Sequence, residues 1–238
     1  MLLLVGGAVL RASLTDLYLR YVKEGLRPFL IIAGIALVAV VIATLIPEFI
    51  KRDDTPEPAP GCADDPADEH GHAHKEPGVS WLMILPVLAL LLVAPPALGA
   101  DAADRTGTAL GSAAESDFPP LPKGDPAKIA VLDYAARAVF ENGVSLKDRQ
   151  VELTGFIIVD KSGQRYLARM ILSCCAADAR PIKVALDGDL PELSKETWVR
   201  VVGTYNKRVL KDSVNGERIP FINVDKIEKI PAPKNQYE

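Results

Sequence analysis

Residues 150–205 read QVELTGFIIVDKSGQRYLARMILSCCAADARPIKVALDGDLPELSKETWVRVVGTY. Apolar and polar residues alternate here in short runs, and turn residues separate the runs. A period of two marks strands with one buried face. The pattern predicts strands over 150–159, 165–174, 181–186 and 197–205, and PFINVDKI from Pro220 starts a fifth. Gly155 and Gly203 interrupt two of them, where a residue without Cβ permits a bulge or a sharp bend. Five short, bent strands predict a small closed barrel of the OB-fold type. A five-stranded sheet packed on a helix is the alternative.

Upstream of the strands lies DPAKIAVLDYAARAVFENG, residues 125–143. Asp125 suits an N-cap and Pro126 a first helical position. Ile129, Leu132, Ala136 and Val139 recur at helical spacing, Tyr134 and Phe140 add bulk, and Asn142-Gly143 is a stop signal. The expectation is one amphipathic helix preceding the barrel, in a domain spanning 125–238. Residues 101–124 are rich in Ala, Gly, Ser, Asp and Pro without a hydrophobic period, which predicts a flexible linker.

Residues 1–100 have a different character. The stretch 29–46 has no charged residue, and neither has VSWLMILPVLALLLVAPPALGA, residues 79–100. Runs of this length without a polar face read as transmembrane helices, over 28–50 and 79–99. Pro86 would kink the second, and Trp81 lies near one end. A further helix over 1–20 is less clear, because Arg11 and Asp16 would lie in or near the bilayer. An interfacial helix ending at Tyr21 is the other reading. The first 20 residues after the last apolar run carry Arg105 as their one basic residue, whereas Lys51, Arg52 and Lys75 flank the preceding loop. That bias predicts a multi-pass protein of the cell membrane with an extracytoplasmic C-terminal domain, although Arg20, Lys23 and Arg27 argue the other way.

The loop itself, KRDDTPEPAPGCADDPADEHGHAHKEPG (51–78), holds all three histidines of the chain. His70, His72 and His74, with Asp68 and Glu69, offer imidazole and carboxylate ligands for zinc or another transition metal. No frame of four fixed ligands is visible, so a solvated acidic linker is the competing reading.

The net charge of the whole chain is −4, yet residues 101–238 hold 20 basic and 20 acidic residues. A neutral barrel domain excludes a general nucleic-acid binder, which needs a basic surplus. The same domain has no histidine and no hydrolase elbow, phosphate loop or CxxC motif, so no enzyme is expected. Asp187 and Asp189 lie in a Gly-containing turn and read as turn chemistry. The distinctive residues are Cys174, Cys175 and Asp178. On a strand running to residue 174, one cysteine would enter the barrel and its neighbour point outward. Buried packing, soft-metal ligation and thiol redox chemistry all remain open for the pair.

The acidic His-bearing loop between apolar runs, followed by VELTGFIIVDKSGQRYLARMILSCCAADARPIKVAL, resembles the YcgQ-like family, most specifically over RMILSCCAADA (169–179). That family is described as a subunit of a two-component membrane permease complex. The resemblance implies a polytopic permease partner in the same bilayer, and it supplies no catalytic or ligand residues. The expected function is an accessory subunit of a transport complex whose tethered β-domain binds metal or a small ligand. The alternative is a stand-alone membrane-anchored thiol or metal-binding protein.

Overall fold

The computed structural model describes residues 2–50, 85, 88, 96–111 and 118–238. The chain forms two compact units, one of Met1–Thr15 with Arg27–Pro95, the other of Asp16–Leu26 with Pro96–Glu238. In the first, helix α1 (Leu2–Leu14) packs on helix α2 (Arg27–Ile50). Glycines permit the close approach. A Cβ on Gly34 would lie 2.8 Å from Leu10 Cγ, and one on Gly6 3.1 Å from Val38 Cγ2. Small residues at such a seam let helix backbones approach closely. The stretch Glu24–Ile46 contains an 18-residue window of mean hydropathy 3.1 and is long and apolar enough to cross a membrane. At 13 residues α1 is shorter than a span. Most of the second apolar run lies outside the described residues, as does the whole 51–78 loop; residues 96–99, expected to end the second helix, are not helical and belong to the second unit.

The second unit is built on the predicted barrel. Its strands are β1 (Ala127–Lys128), β2 (Gln150–Val159), β3 (Arg165–Ile171), β4 (Arg180–Asp187), β5 (Trp198–Lys211) and β6 (Arg218–Lys229). The order β2-β3-β4-β6-β5 closes on itself through β2–β5 pairing, from Gln150↔Thr204 to Phe156↔Trp198. The β4–β6 pair is parallel and the other barrel pairs are antiparallel. This is the mixed five-strand closure of an OB-like barrel. A Cβ on Gly203 would collide with the Asn223 carbonyl, and one on Gly155 with that of Ala168. Both glycines therefore sit where strands cross closely, and the β5–β6 register slips at Val202/Gly203.

Helix α4 (Val131–Phe140) packs on this barrel after a short helix α3 (Ala100–Arg105). The amphipathic helix is shorter than the sequence suggests. Asp125-Pro126 does not open it, because Ala127–Lys128 instead forms β1, paired in parallel with β2. The helix starts at Val131, and its N-cap, Ala130, has no capping side chain. Glu238 replaces it, its carboxylate accepting from the Val131 and Leu132 N–H groups at 3.1 and 3.2 Å. The buried face is therefore Val131, Tyr134, Ala135, Ala138 and Val139, while Leu132 is exposed. The stop holds, with Asn142 and Gly143 at φ 53° and 69°.

The barrel has two apolar faces. Leu153, Leu167, Val184, Val201 and Ile222 fill the interior against α4. Phe156, Ile158, Ala168, Met170, Ala185 and Phe221 form a second cluster, covered by Ala100, Ala103 and Tyr237. Hence residues 100–111 do not behave as the expected linker. They are drawn onto this second face, where Ala109 N–H bonds the Pro181 carbonyl and Leu110 joins the main core. Residues 118–124 are fastened too. The buried Arg137 guanidinium lies over the Phe118 ring and donates to the Pro119 carbonyl, and Arg149 donates to the Gly124 carbonyl.

One buried ion pair pins the same segment. Lys183 Nζ lies 3.0 Å from Asp212 Oδ2, with side chains 7% and 2% exposed. Asp212 also accepts from the Thr108 and Val214 N–H groups. Burial pushes its carboxyl up, but these donors outweigh it and hold the carboxyl below its ordinary value. Removing Asp212 strands a buried ammonium. We expect Asp212→Ala to cost about 3–5 kcal/mol in urea unfolding of the full chain in detergent. Lys183→Met should cost less, because Asp212 keeps two N–H donors.

Candidate functional site

Strand β3 ends at Ile171, three residues earlier than the sequence pattern suggests, and the chain enters a loop closed by a 3-10 turn at Ala176–Asp178. Cys174 is exposed and Cys175 half-buried, so neither enters the barrel. The alternation argument fails because both cysteines lie beyond the strand. The loop turns back on itself around the Asp178 carboxylate. That carboxylate accepts from the Ser173 N–H at 2.9 Å, the Cys174 N–H at 2.8 Å and the Cys175 N–H at 3.3 Å. The Asp178 N–H reaches the Cys175 side chain in return, completing a reciprocal cap.

The consequence is convergence. Cys174 Sγ, Cys175 Sγ and an Asp178 carboxylate oxygen all lie within 4.8 Å of one another. It is the one such group of three His, Cys, Asp or Glu ligands among the described residues. Hydrogen bonds from the Cys174 thiol and the surrounding N–H groups hold the Asp178 carboxyl down at about 2. The same thiol hydrogen bonds, to Asp178 and Cys175, push Cys174 up to about 11. A thiolate nucleophile needs positive surroundings, and this loop gives Cys174 the opposite.

A second element frames the loop. Residues 16–26, between α1 and α2 in sequence, belong to the barrel unit. Val22 forms an antiparallel bridge with Cys175. The Lys23 N–H donates to the Cys174 carbonyl at 3.1 Å, and the Ala176 N–H to the Tyr21 carbonyl at 2.7 Å. The C-terminal segment straps the same stretch down. Tyr237 Oη donates to the Arg20 carbonyl at 2.9 Å and accepts from the Leu98 N–H, and Lys234 pairs with Asp16. Sequence reasoning identified Cys174, Cys175 and Asp178 but missed this frame. Backbone pairing between residues so distant in the chain leaves no local pattern to read.

The OB-like face of the barrel holds a separate cavity of about 280 Å³, lined by Asp160, Tyr166, Lys183 and Asp212 among others. Its polar groups are largely spent on each other. Asp160 accepts from Ser162, Gln164 and Tyr166, and Lys183 is paired with Asp212. His70, His72, His74, Asp68 and Glu69 lie outside the described residues.

The Asp178 contribution to loop order has a definite pH sign. With its folded value depressed, it is present above the ordinary carboxyl value near 3.8 and lost as pH falls through about 2. Asp178→Asn should loosen the loop already at neutral pH. Amide exchange at Ser173 and Cys174 should speed up roughly tenfold, while β3 amides stay unchanged.

Comparison with known families places residues 135–238 in a match to the DUF1980 C-terminal domain, an uncharacterised family. The match runs from within α4 through the whole barrel, the cysteine loop and the C-terminal strap. No curated protein and no solved structure matches the chain.

Proposed function

We propose that this chain is a membrane-anchored accessory subunit of a transport complex, and that its OB-like domain presents the Cys174, Cys175 and Asp178 loop to a ligand at the membrane surface. The observation that carries this reading is the backbone bridge between Val22 and Cys175. It ties the loop with the most distinctive chemistry to a stretch that leads directly into an apolar helix. That helix leaves Phe29, Ile32, Ile35, Val40 and Ile42 exposed, a surface for lipid or for the helices of a polytopic partner. The resemblance to a permease-associated family supplies the partner's class. Co-purification from detergent tests it. A multi-spanning protein should accompany the tagged full chain, and its absence would leave a stand-alone anchored binding protein.

The same bridge supports a multi-pass arrangement. Residues 16–26 and 96–238 share one unit, which is consistent with an even number of bilayer crossings in the chain between them. Helix α2 would supply one crossing, and the apolar run from 79 up to 95 is the sequence segment suited to the return. In this reading the 51–78 loop would lie on the face opposite the barrel, and the sparse basic residues after position 100 favour a barrel outside the cytoplasm. Impermeant maleimide labelling of single-cysteine variants checks this. Val214→Cys, at an exposed position in the β5–β6 turn, should react in intact cells. Cys62 should react only after permeabilisation. Equal reactivity of both sites would refute the even count.

A further inference from the structure

We infer that Cys174, Cys175 and Asp178 form a binding site for a thiophilic divalent d10 cation of the zinc class, held by two thiolates and one carboxylate oxygen with a fourth position open to solvent. This deepens the proposed function by naming the ligand of the presented loop, and it rests on that reading only for its purpose.

Three observations carry it. The two sulfurs and the carboxylate oxygen already lie within 4.8 Å of one another. Tetrahedral coordination with metal–sulfur bonds of about 2.3 Å puts ligand atoms roughly 3.5–3.8 Å apart. The remaining gap is about 1 Å, within the reach of side-chain rotation. Second, the carboxylate is fixed before any ion arrives, since three backbone N–H groups hold it. Outer partners of this kind orient a metal ligand and tune its strength. Third, the loop backbone is itself pinned by residues 21 and 23 through the Lys23–Cys174 and Tyr21–Ala176 hydrogen bonds.

The competing uses of paired thiols fit less well. Core packing is excluded by the exposure of Cys174. A disulfide between neighbouring residues demands a strained ring. A catalytic thiolate is disfavoured by the adjacent carboxylate. A cation reverses that last objection, because it supplies the positive charge the carboxylate lacks. The exchange balances simply. One divalent ion enters, two thiols become thiolates, two protons leave to solvent, and the ion takes the place of the hydrogen that Cys174 directs at Asp178. Closed structural zinc sites fix four protein ligands, whereas sites with three keep a position for exchange. An exposed three-ligand loop is suited to taking up an ion and passing it on.

The test is a cadmium titration of the full chain in detergent, in a Cys62→Ser background, followed by sulfur-to-cadmium charge-transfer absorption. Imidazole and carboxylate ligands in the 51–78 loop give no such band, so the readout isolates the thiols. One ion per chain should saturate the band, and zinc should abolish it by competition. Cys174→Ser with Cys175→Ser should remove the band without shifting Tm, since neither side chain is in the core. Asp178→Asn should keep the band and weaken binding about 10- to 100-fold. A wild-type loop without the band, a dissociation constant weaker than about 1 mM, or a band that survives the double substitution would each overturn the site. Failure to co-purify a permease would leave these results unaffected, so the two proposals fail separately.

Discussion

Closure of the barrel through the β2–β5 ladder is the constraint from which the rest of the second unit follows. Seven residue pairs, from Gln150↔Thr204 to Phe156↔Trp198, turn an open sheet into a closed one. Closure removes the free edges that an isolated sheet would expose. It also forces the strands to bend, which is why Gly155 and Gly203 stand where neighbouring carbonyls approach too closely for a Cβ. A small closed barrel has a narrow interior, filled here by Leu153, Leu167, Val184, Val201 and Ile222 with α4 packed against them. Residues of the opposite register, such as Phe156, Met170 and Phe221, then face outward and need another cover.

That second apolar face explains where sequence reasoning succeeded and where it stopped. The strands were legible because a period of two survives in QVELTGFIIV and TWVRVVGTY. The segment 100–111 was not, because its reading depends on what it covers. An Ala- and Gly-rich stretch looks like a tether when the surface awaiting it is unknown, yet Ala100 and Ala103 are small enough to lie flat on the outer cluster. The start of α4 was misplaced for a related reason. Asp125 and Pro126 carry good local helix signals, but pairing of β1 with Val151 and Glu152 outcompetes them. The cap is then delivered by Glu238, from more than a hundred residues away, and no local rule could name it.

Charge is used economically in this unit, and the carboxylates illustrate two opposite ways of doing so. Asp212 is buried, and its ion pair with Lys183 offsets the desolvation of both groups while its N–H partners fix residue 108. Asp178 lies on an exposed loop and gathers three backbone N–H groups, so it organises the chain without a basic side-chain partner of its own among the described ion pairs. The first kind of carboxylate locks packing in place. The second leaves oxygen lone pairs and two sulfurs together at the surface. All three side chains of the candidate site were thus visible in the motif SCCAAD, but their convergence depends on a turn that the strand pattern did not foresee.

The interleaving of the two units bears on the order in which the molecule is made. Residues 16–26 leave the ribosome long before residues 174–176, which supply their bridging partners. Until then water must satisfy the N–H of Lys23 and the carbonyl of Tyr21, and the Arg20 carbonyl waits longer, for Tyr237. The barrel cannot be finished autonomously after synthesis of its own contiguous sequence, because part of its surface has already been laid down upstream. A fragment starting at residue 96 would therefore be a barrel with a missing piece: the Ala176 N–H would lack its Tyr21 acceptor and the Tyr237 hydroxyl its Arg20 acceptor. Completion of the cysteine loop therefore depends on a segment made at the start of synthesis, the one that leads into α2.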